Sequence, residues 1–581
     1  LDLAKFLSLD EIKEAFSVKQ LTKEFYNEIQ NWYAWALKEL QDKKGSFPGG
    51  RDEENLIRLI TRLIFVWFLK EKKLIPEEIF DEKSLENIVK DFKKADNYYN
   101  AILQNLFFAT LNRPPAERDF AIEGNFLENR EHFGLKTLYR YSSKLKISKE
   151  EFIKLLEKVP FINGGLFECL DKDKNYIDGF SRNEKKRAKL PDYLFFSDEK
   201  DVDLSFFYGE NKKAKVKGII NILKEYNFTV DESSPIDIEV SLDPELLGHI
   251  FENLLASFNP ETQTTARKAT GSYYTPKEIV EFMVDEALTY YLVNKTGIPE
   301  EKIRELISYD ENHSLTQEER EKVITAIDEL KVIDPAVGSG AFPMGILHKL
   351  VHILHKTDPD NKMWKEKQIS RLEKLKQDAY LIQDIKIREE ILKDIENQKE
   401  ELEKAFKNEI DYARKLFLIE NSIYGVDIQP IAIQIAKLRF FLSLLIDQKV
   451  DKSRENYGIL PLPNLETKFV SANTLIGLEK PEKLKTYSLF KTPKIKNLEE
   501  EYKELMKSHF SASNRSQKKR IQEKAKKIRE ELAKELKSIG FSDEATEKIA
   551  KFDIFDQLSS ADWFDPEWMF GVEDGFDIVI G

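Results

Sequence analysis

Two carboxylates in this chain stand where a nucleotide-like ligand would meet them, Asp334 and Asp427. Asp334 closes the short apolar run Val332-Ile333 and leads through Pro335 into the turn Gly338-Ser339-Gly340. An apolar helix is expected from Ala341 through Leu350. A strand that breaks into Gly-x-Gly and opens a helix lets the backbone approach a ligand at the carboxyl end of a sheet. The same glycine pair also serves as a plain tight turn. Asp427 ends a second apolar run, Ile423 to Val426, with Ile428 after it and Pro430 close behind. An acid in that place can hold ribose hydroxyls; its structural alternative is a helix N-cap.

Other residues offer related chemistry. In GSYYTPKEIVEF (from Gly271), Tyr274 precedes Thr275, which is placed as an N-cap, with Pro276 at N1 and Glu278 at N3. The amides of that helix start would be free for a carboxylate. A third strand is expected to end at Asn473, and a fourth is FDIVI, Phe576 to Ile580. His348, His352 and His355 share one helix face at i, i+4 and i+7, a spacing compatible with a metal. No acid accompanies them and that helix must pack on the sheet, so a structural or surface role is expected and no metal site is assigned.

These elements sit in a chain of 581 residues, 41% hydrophobic and 34% charged, too long for one core. Residues 1–235 are expected to form a mainly helical domain, with a buried helix over Leu56–Leu69 and a turn, or a hairpin, at Asn163-Gly164-Gly165. Residues 236–581 are expected to form an α/β sheet domain, with a helix starting near Leu242. Charged helical insertions interrupt it at about 360–417 and 495–552. The text from Pro235 lacks the lysine that a nuclease site would need. No apolar run reaches 18 residues and no signal peptide is evident at the start, so a cytoplasmic location is expected. Cys169 is the single cysteine, which excludes disulfides and thiolate zinc sites within the chain. A net charge of −13 argues that this portion is not a main phosphate-gripping surface.

Together the motifs resemble those of an N6-adenine DNA methyltransferase of the type IIG restriction-modification kind. GSYYTP, DPAVGSGAF, IYGVDIQP, SANTLIG and GFDIVIG follow one another in the order of that family, and RLITRLIFVWFLKEKKLIP and VPFINGGLFE resemble its helical connector. The resemblance implies a Rossmann-like S-adenosylmethionine-dependent sheet acting on a flipped adenine in double-stranded DNA, in restriction-modification or phage defence. Carried over, Thr275 with neighbouring Tyr274 and Pro276 would hold the methionine carboxylate. Asp334, Pro335 and Gly338-Ser339-Gly340 would cradle the methionine and ribose, and Asp427 would bind the ribose hydroxyls. Ile428 would pack on the adenine and Asn473 would read its amine, where many relatives carry Asp. Phe342 is read as core.

In that family GFDIVIG leads into the catalytic Asn-Pro-Pro-Tyr, which is expected just after Gly581. The chain is therefore expected to be a fragment, inactive alone, with its recognition domain and any nuclease domain or subunit elsewhere. Two other readings compete with it: a non-catalytic S-adenosylmethionine-binding scaffold that needs a partner, and a nicotinamide oxidoreductase. The second lacks the third glycine of Gly-x-Gly-x-x-Gly.

Overall fold

The computed structural model describes residues 18–122, 132, 134–163, 165–172, 175–209, 211–226, 228, 275–309, 313–380, 410–479, 481, 492–512 and 515–581, with isolated positions between 388 and 399. Two compact units emerge. One takes the residues up to Tyr274 together with Val450–Leu462; the other takes Thr275–Lys449 and Pro463–Gly581. The expected boundary near residue 235, the helix expected near Leu242 and the text from Pro235 lie outside the described residues.

In the first unit, α1 (Val18–Gln41) and α2 (Asp52–Glu71) form much of the core. Every residue of α2 from Asn55 to Leu69 is buried, as its all-round apolar text predicts. Arg62 is buried with them and is neutralised by Asp178 at 2.7 Å. Its remaining donors reach the carbonyls of Leu166 and Glu168. Asn163 adopts a left-handed φ of 64° and a 3₁₀ turn follows over Gly165–Phe167, so the hairpin alternative does not hold there. The unit's hairpin is β1 (Lys200–Asp203) with β2 (Lys213–Val216). Residues 450–462 also belong to this unit. The Asn456 side chain accepts from Phe161 N–H at 2.6 Å and donates to Phe161 O at 2.8 Å. The Leu462 N–H donates to Ile162 O at 2.7 Å.

The second unit is built on a four-stranded parallel sheet of β3 (Val332–Asp334), β4 (Ile423–Asp427), β5 (Phe469–Ser471) and β6 (Ile578–Val579), in the order β5-β4-β3-β6. Two strands are shorter than the sequence predicts. β5 stops at Ser471 because the chain leaves its pairing with β4, and the Asn473 N–H turns to Ala561 O. β6 pairs only at Ile578 and Val579, since β3, its one neighbour, is itself three residues long.

Alternate residues of the strands point to opposite faces. Three helices matter on the first face: α3 (Lys277–Thr296), α4 (Ala341–Thr357) and α5 (Pro430–Ile446). The last of these sets Phe440 against Phe469 with ring centroids 4.7 Å apart. Gly425 is required beneath them, because a Cβ there would lie 2.7 Å from the Phe469 ring. The opposite face, Ile333, Tyr424, Val426 and Val470, is covered by α6 (Pro493–Ser511), α7 (Arg515–Ser538) and α8 (Asp543–Lys551) with Trp563 and Trp568. The segment expected as a charged insertion at about 495–552 is therefore the second layer of the sheet. The other insertion contains helices Lys362–Tyr380 and Ile410–Asn421, anchored where Trp364 meets Phe417 at 4.8 Å. Among the described residues no helix is long and apolar enough to cross a membrane.

Candidate functional site

The strand order sets the location. From β3 the chain moves to β4 and β5 on one side and returns to β6 on the other, so its direction reverses between β3 and β6. Open parallel sheets bind ligands at the carboxyl ends of strands beside such a reversal. Asp334 ends β3 at that point. Its side chain is 1% exposed, and a Cβ built on Gly581 would lie 2.9 Å from its Oδ1.

Asp334 Oδ1 accepts the Ala336 N–H at 2.9 Å, while Oδ2 is buried without a partner. Burial lifts the carboxyl to about 7, and the nearby Asp427 charge pushes the same way against the Ala336 hydrogen bond. An acceptor kept this dry is complementary to a cation or donor that arrives with a ligand.

Asp427 is tied into the turn. The Gly338 N–H donates to its Oδ2 at 2.9 Å and the Gln429 N–H to its Oδ1 at 2.8 Å. Burial raises its pKa, and these two donors pull against the rise. The N-cap position of α5 is Gln429, without a side-chain cap, so Asp427 is not that helix's cap. Gly338 has φ +51° and Gly340 φ +88°, conformations that favour glycine. A Cβ at Gly338 would find nothing closer than 4.0 Å, which leaves the turn open above its backbone. Gly340 instead backs onto α5, 3.3 Å from Ala436 Cβ. Ser339 is buried, and Arg439 donates to its carbonyl at 3.3 Å. Pro335 carries the carbonyl that accepts from Thr474 Oγ1 at 3.1 Å.

Thr474 was not anticipated from the sequence. It ties the turn after β5 to the turn after β3, and a hydroxyl beside an asparagine gives no local sign of so distant a partner. Asn473 itself folds into a tight turn, its Oδ1 accepting the Leu475 N–H at 3.1 Å, so one lone pair of that oxygen is already used. Ile428 is 62% exposed beside Asp427. Phe342 is buried, as expected.

The start of α3 differs from expectation. Its N-cap position is Pro276 with extended ψ of 143° and no side-chain cap, so the helix begins at Lys277, one residue late. Thr275 consequently does not cap, and Pro276 is not at N1. Tyr274 lies outside the described residues. The position of α3 is nonetheless informative. Val280 meets Gly345, whose Cβ would lie 3.0 Å from it, and further along Asp285 pairs with Lys349 at 2.9 Å. The two helices thus run in the same direction, and Pro276 starts α3 at the end where Gly340 starts α4.

Of the histidines on α4, His352 is occupied otherwise. His352 Nε2 bonds Ser308 O at 2.9 Å, and its ring lies 4.9 Å from Tyr309. Among the described residues one group has metal-ligand spacing, Cys169 with Asp171 and Asp178. There Asp178 serves Arg62 and Leu170, Asp171 accepts three backbone N–H groups, and burial pushes the Cys169 thiol up. That group is a hydrogen-bonded clasp.

Comparison with known proteins narrows the class. Residues 421–581 match the Eco57I restriction-modification methylase family. The methylase match takes in β4, β5 and β6 with Asp427 and Asn473, and begins after Asp334 and the glycine turn. A protein of Methanocaldococcus jannaschii, whose name proposes a type II restriction enzyme and methyltransferase, is 26% identical over 434 residues. That alignment covers 72% of this chain and 27% of the relative, so the chain spans about a quarter of the curated relative it matches. No solved structure matches the chain. The parallel sheet fits the α/β methyltransferase fold that the methylase match implies, and that family implies S-adenosylmethionine as cofactor.

Proposed function

We propose that the second unit binds S-adenosylmethionine at the carboxyl ends of β3, β4 and β5 and serves N6-adenine methylation of double-stranded DNA in a type IIG restriction-modification enzyme. The observation that carries this reading is Asp334, a buried carboxyl with one unpartnered oxygen where the sheet reverses direction, linked through the glycine turn to Asp427. Asp334 would take the methionine ammonium, and its ionisation on binding would relieve the buried acceptor. Asp427, held by Gly338 and Gln429, keeps lone pairs for ribose hydroxyls. Ile428 would lie against the adenine, and Asn473 would offer its amide to the adenine edge. Thr275 and the first amides of α3 would meet the carboxylate. When bound, the cofactor supplies an electrophilic methyl group on a sulfonium. The chain's own task is to hold that group in line and keep water away.

Isothermal titration with S-adenosylmethionine, and separately with NADH, tests the cofactor. We expect binding of the first alone, weakened about 10- to 100-fold by Asp427→Ala, as befits loss of hydrogen bonds to a charged acceptor. Binding of NADH instead, or an Asp427→Ala protein with native affinity, would refute the assignment. Tritium from the methyl-labelled cofactor should then appear in N6-methyladenine of duplex DNA. Label found in cytosine would overturn the adenine reading.

A further inference from the structure

Helix α7 carries ten basic and four acidic residues in a protein whose net charge is −13. Its inward stripe, Ile521, Ala525, Ile528, Leu532 and Leu536, is buried against the sheet layer. The outward side is thereby fixed in place, and it is not apolar.

Ion pairing divides the charges of this side from those of the neighbouring helix. Lys494 on α6 is paired with Glu531 and Glu535, and Arg304 with Glu286 and Glu300. On α7 itself, Lys519 meets Glu523, Lys524 meets Glu501, Arg529 meets Asp553 and Lys537 meets Asp543. Arg520, Lys526, Lys527 and Lys534 are exposed and form no ion pair with a described residue. Arg520, Lys527 and Lys534 recur every seven residues along one line, with Lys526 beside it; the exposed acids nearby are Glu523 and Glu531, already paired with Lys519 and Lys494, and Glu530. The line from Arg520 to Lys534 is about 21 Å long at helical rise. That matches roughly six base-pair steps of duplex rise.

We propose that the outward face of α7 is a track for the phosphate backbone of double-stranded DNA. The identity of the polyanion rests on the methyltransferase reading; the track itself rests on the unpaired cations. A bilayer is disfavoured as the occupant, because every apolar side chain of the stripe is turned inward and none is left to insert. Contacts of this kind position a duplex without reading its sequence.

The test is fluorescence anisotropy of the chain with a duplex of arbitrary sequence over a range of salt concentrations. It compares the native protein with the joint variant Arg520→Gln, Lys526→Gln, Lys527→Gln and Lys534→Gln. The control removes four exposed lysines elsewhere: Lys83→Gln, Lys94→Gln, Lys154→Gln and Lys158→Gln. We expect the α7 variant to lose at least about tenfold in affinity near ~0.1 M salt, with the slope of log K on log salt flattened by about two to four. The control should change little. Native affinity and slope in the α7 variant, an equal loss in the control, or capture of anionic vesicles in place of duplex would each overturn the track. Cofactor titration of the same proteins separates the two readings. Unchanged cofactor binding with weakened duplex binding supports the track. Salt-dependent duplex binding that is lost in the α7 variant of a protein binding no cofactor sustains the track while removing the methyltransferase reading.

Discussion

Asp334 makes a testable statement about protons. Its carboxyl is raised from 3.8 to about 7 by burial, so between these values the folded chain holds a proton that the unfolded chain releases. Its contribution therefore favours folding below about pH 4 and is lost as pH rises through about 7, on the order of a few kcal/mol in all. Asp334→Asn should remove that dependence. Thermal midpoints measured from pH 5 to 8 should show the variant gaining on the native protein as pH rises; a constant gap would show that Asp334 does not carry the proton. At this scale the carboxylates were legible because an acid ending an apolar run announces itself. Thr275 was misread because a Thr-Pro-x-Glu pattern fits a helix start in two registers, and the extended ψ of Pro276 selects the later one. Thr474 was invisible because its partner, Pro335, is 139 residues away.

Among the elements, the four apolar strands and the helix after Gly340 were readable from pattern, and the lengths of β5 and β6 were not. Strand length depends on which neighbour remains to be paired, and that is a property of the sheet. In α6 to α8 the charged helical insertion was legible, and the apolar stripe beneath its dense lysines and glutamates was not. The stripe at positions 521, 525, 528, 532 and 536 has helical spacing and buries a whole side of the sheet. Leu532 is fully buried in that layer, so Leu532→Ala should destabilise the second unit by about 2–5 kcal/mol. Urea denaturation would measure this. A change within ~0.5 kcal/mol, typical of a surface site, would return the segment to the role of a solvated arm.

At the scale of the molecule, two cores predict two separable unfolding transitions. S-adenosylmethionine should raise the transition of the second unit, since a ligand stabilises the state it binds. Asn456→Ala removes the paired hydrogen bonds to Phe161 and should lower the first unit's transition by about 1–2 kcal/mol. Differential scanning calorimetry with and without cofactor resolves both. A single transition displaced by both treatments would contradict the division. A boundary drawn along the sequence could not anticipate this arrangement, because nothing local in Val450–Leu462 marks it as belonging to a unit nearly 300 residues upstream.

That segment constrains how such a protein can be inherited in pieces. The backbone crosses between the units at residue 274, leaves again at 450 and returns at 463. A single recombination event at the first crossing would bring a foreign first unit but keep the native 450–462, seated against residues it did not evolve with. Only a double exchange carries the first unit intact. Chimaeras of related chains joined at one point near 274 should therefore fold poorly, while those that also exchange residues 450–462 should recover.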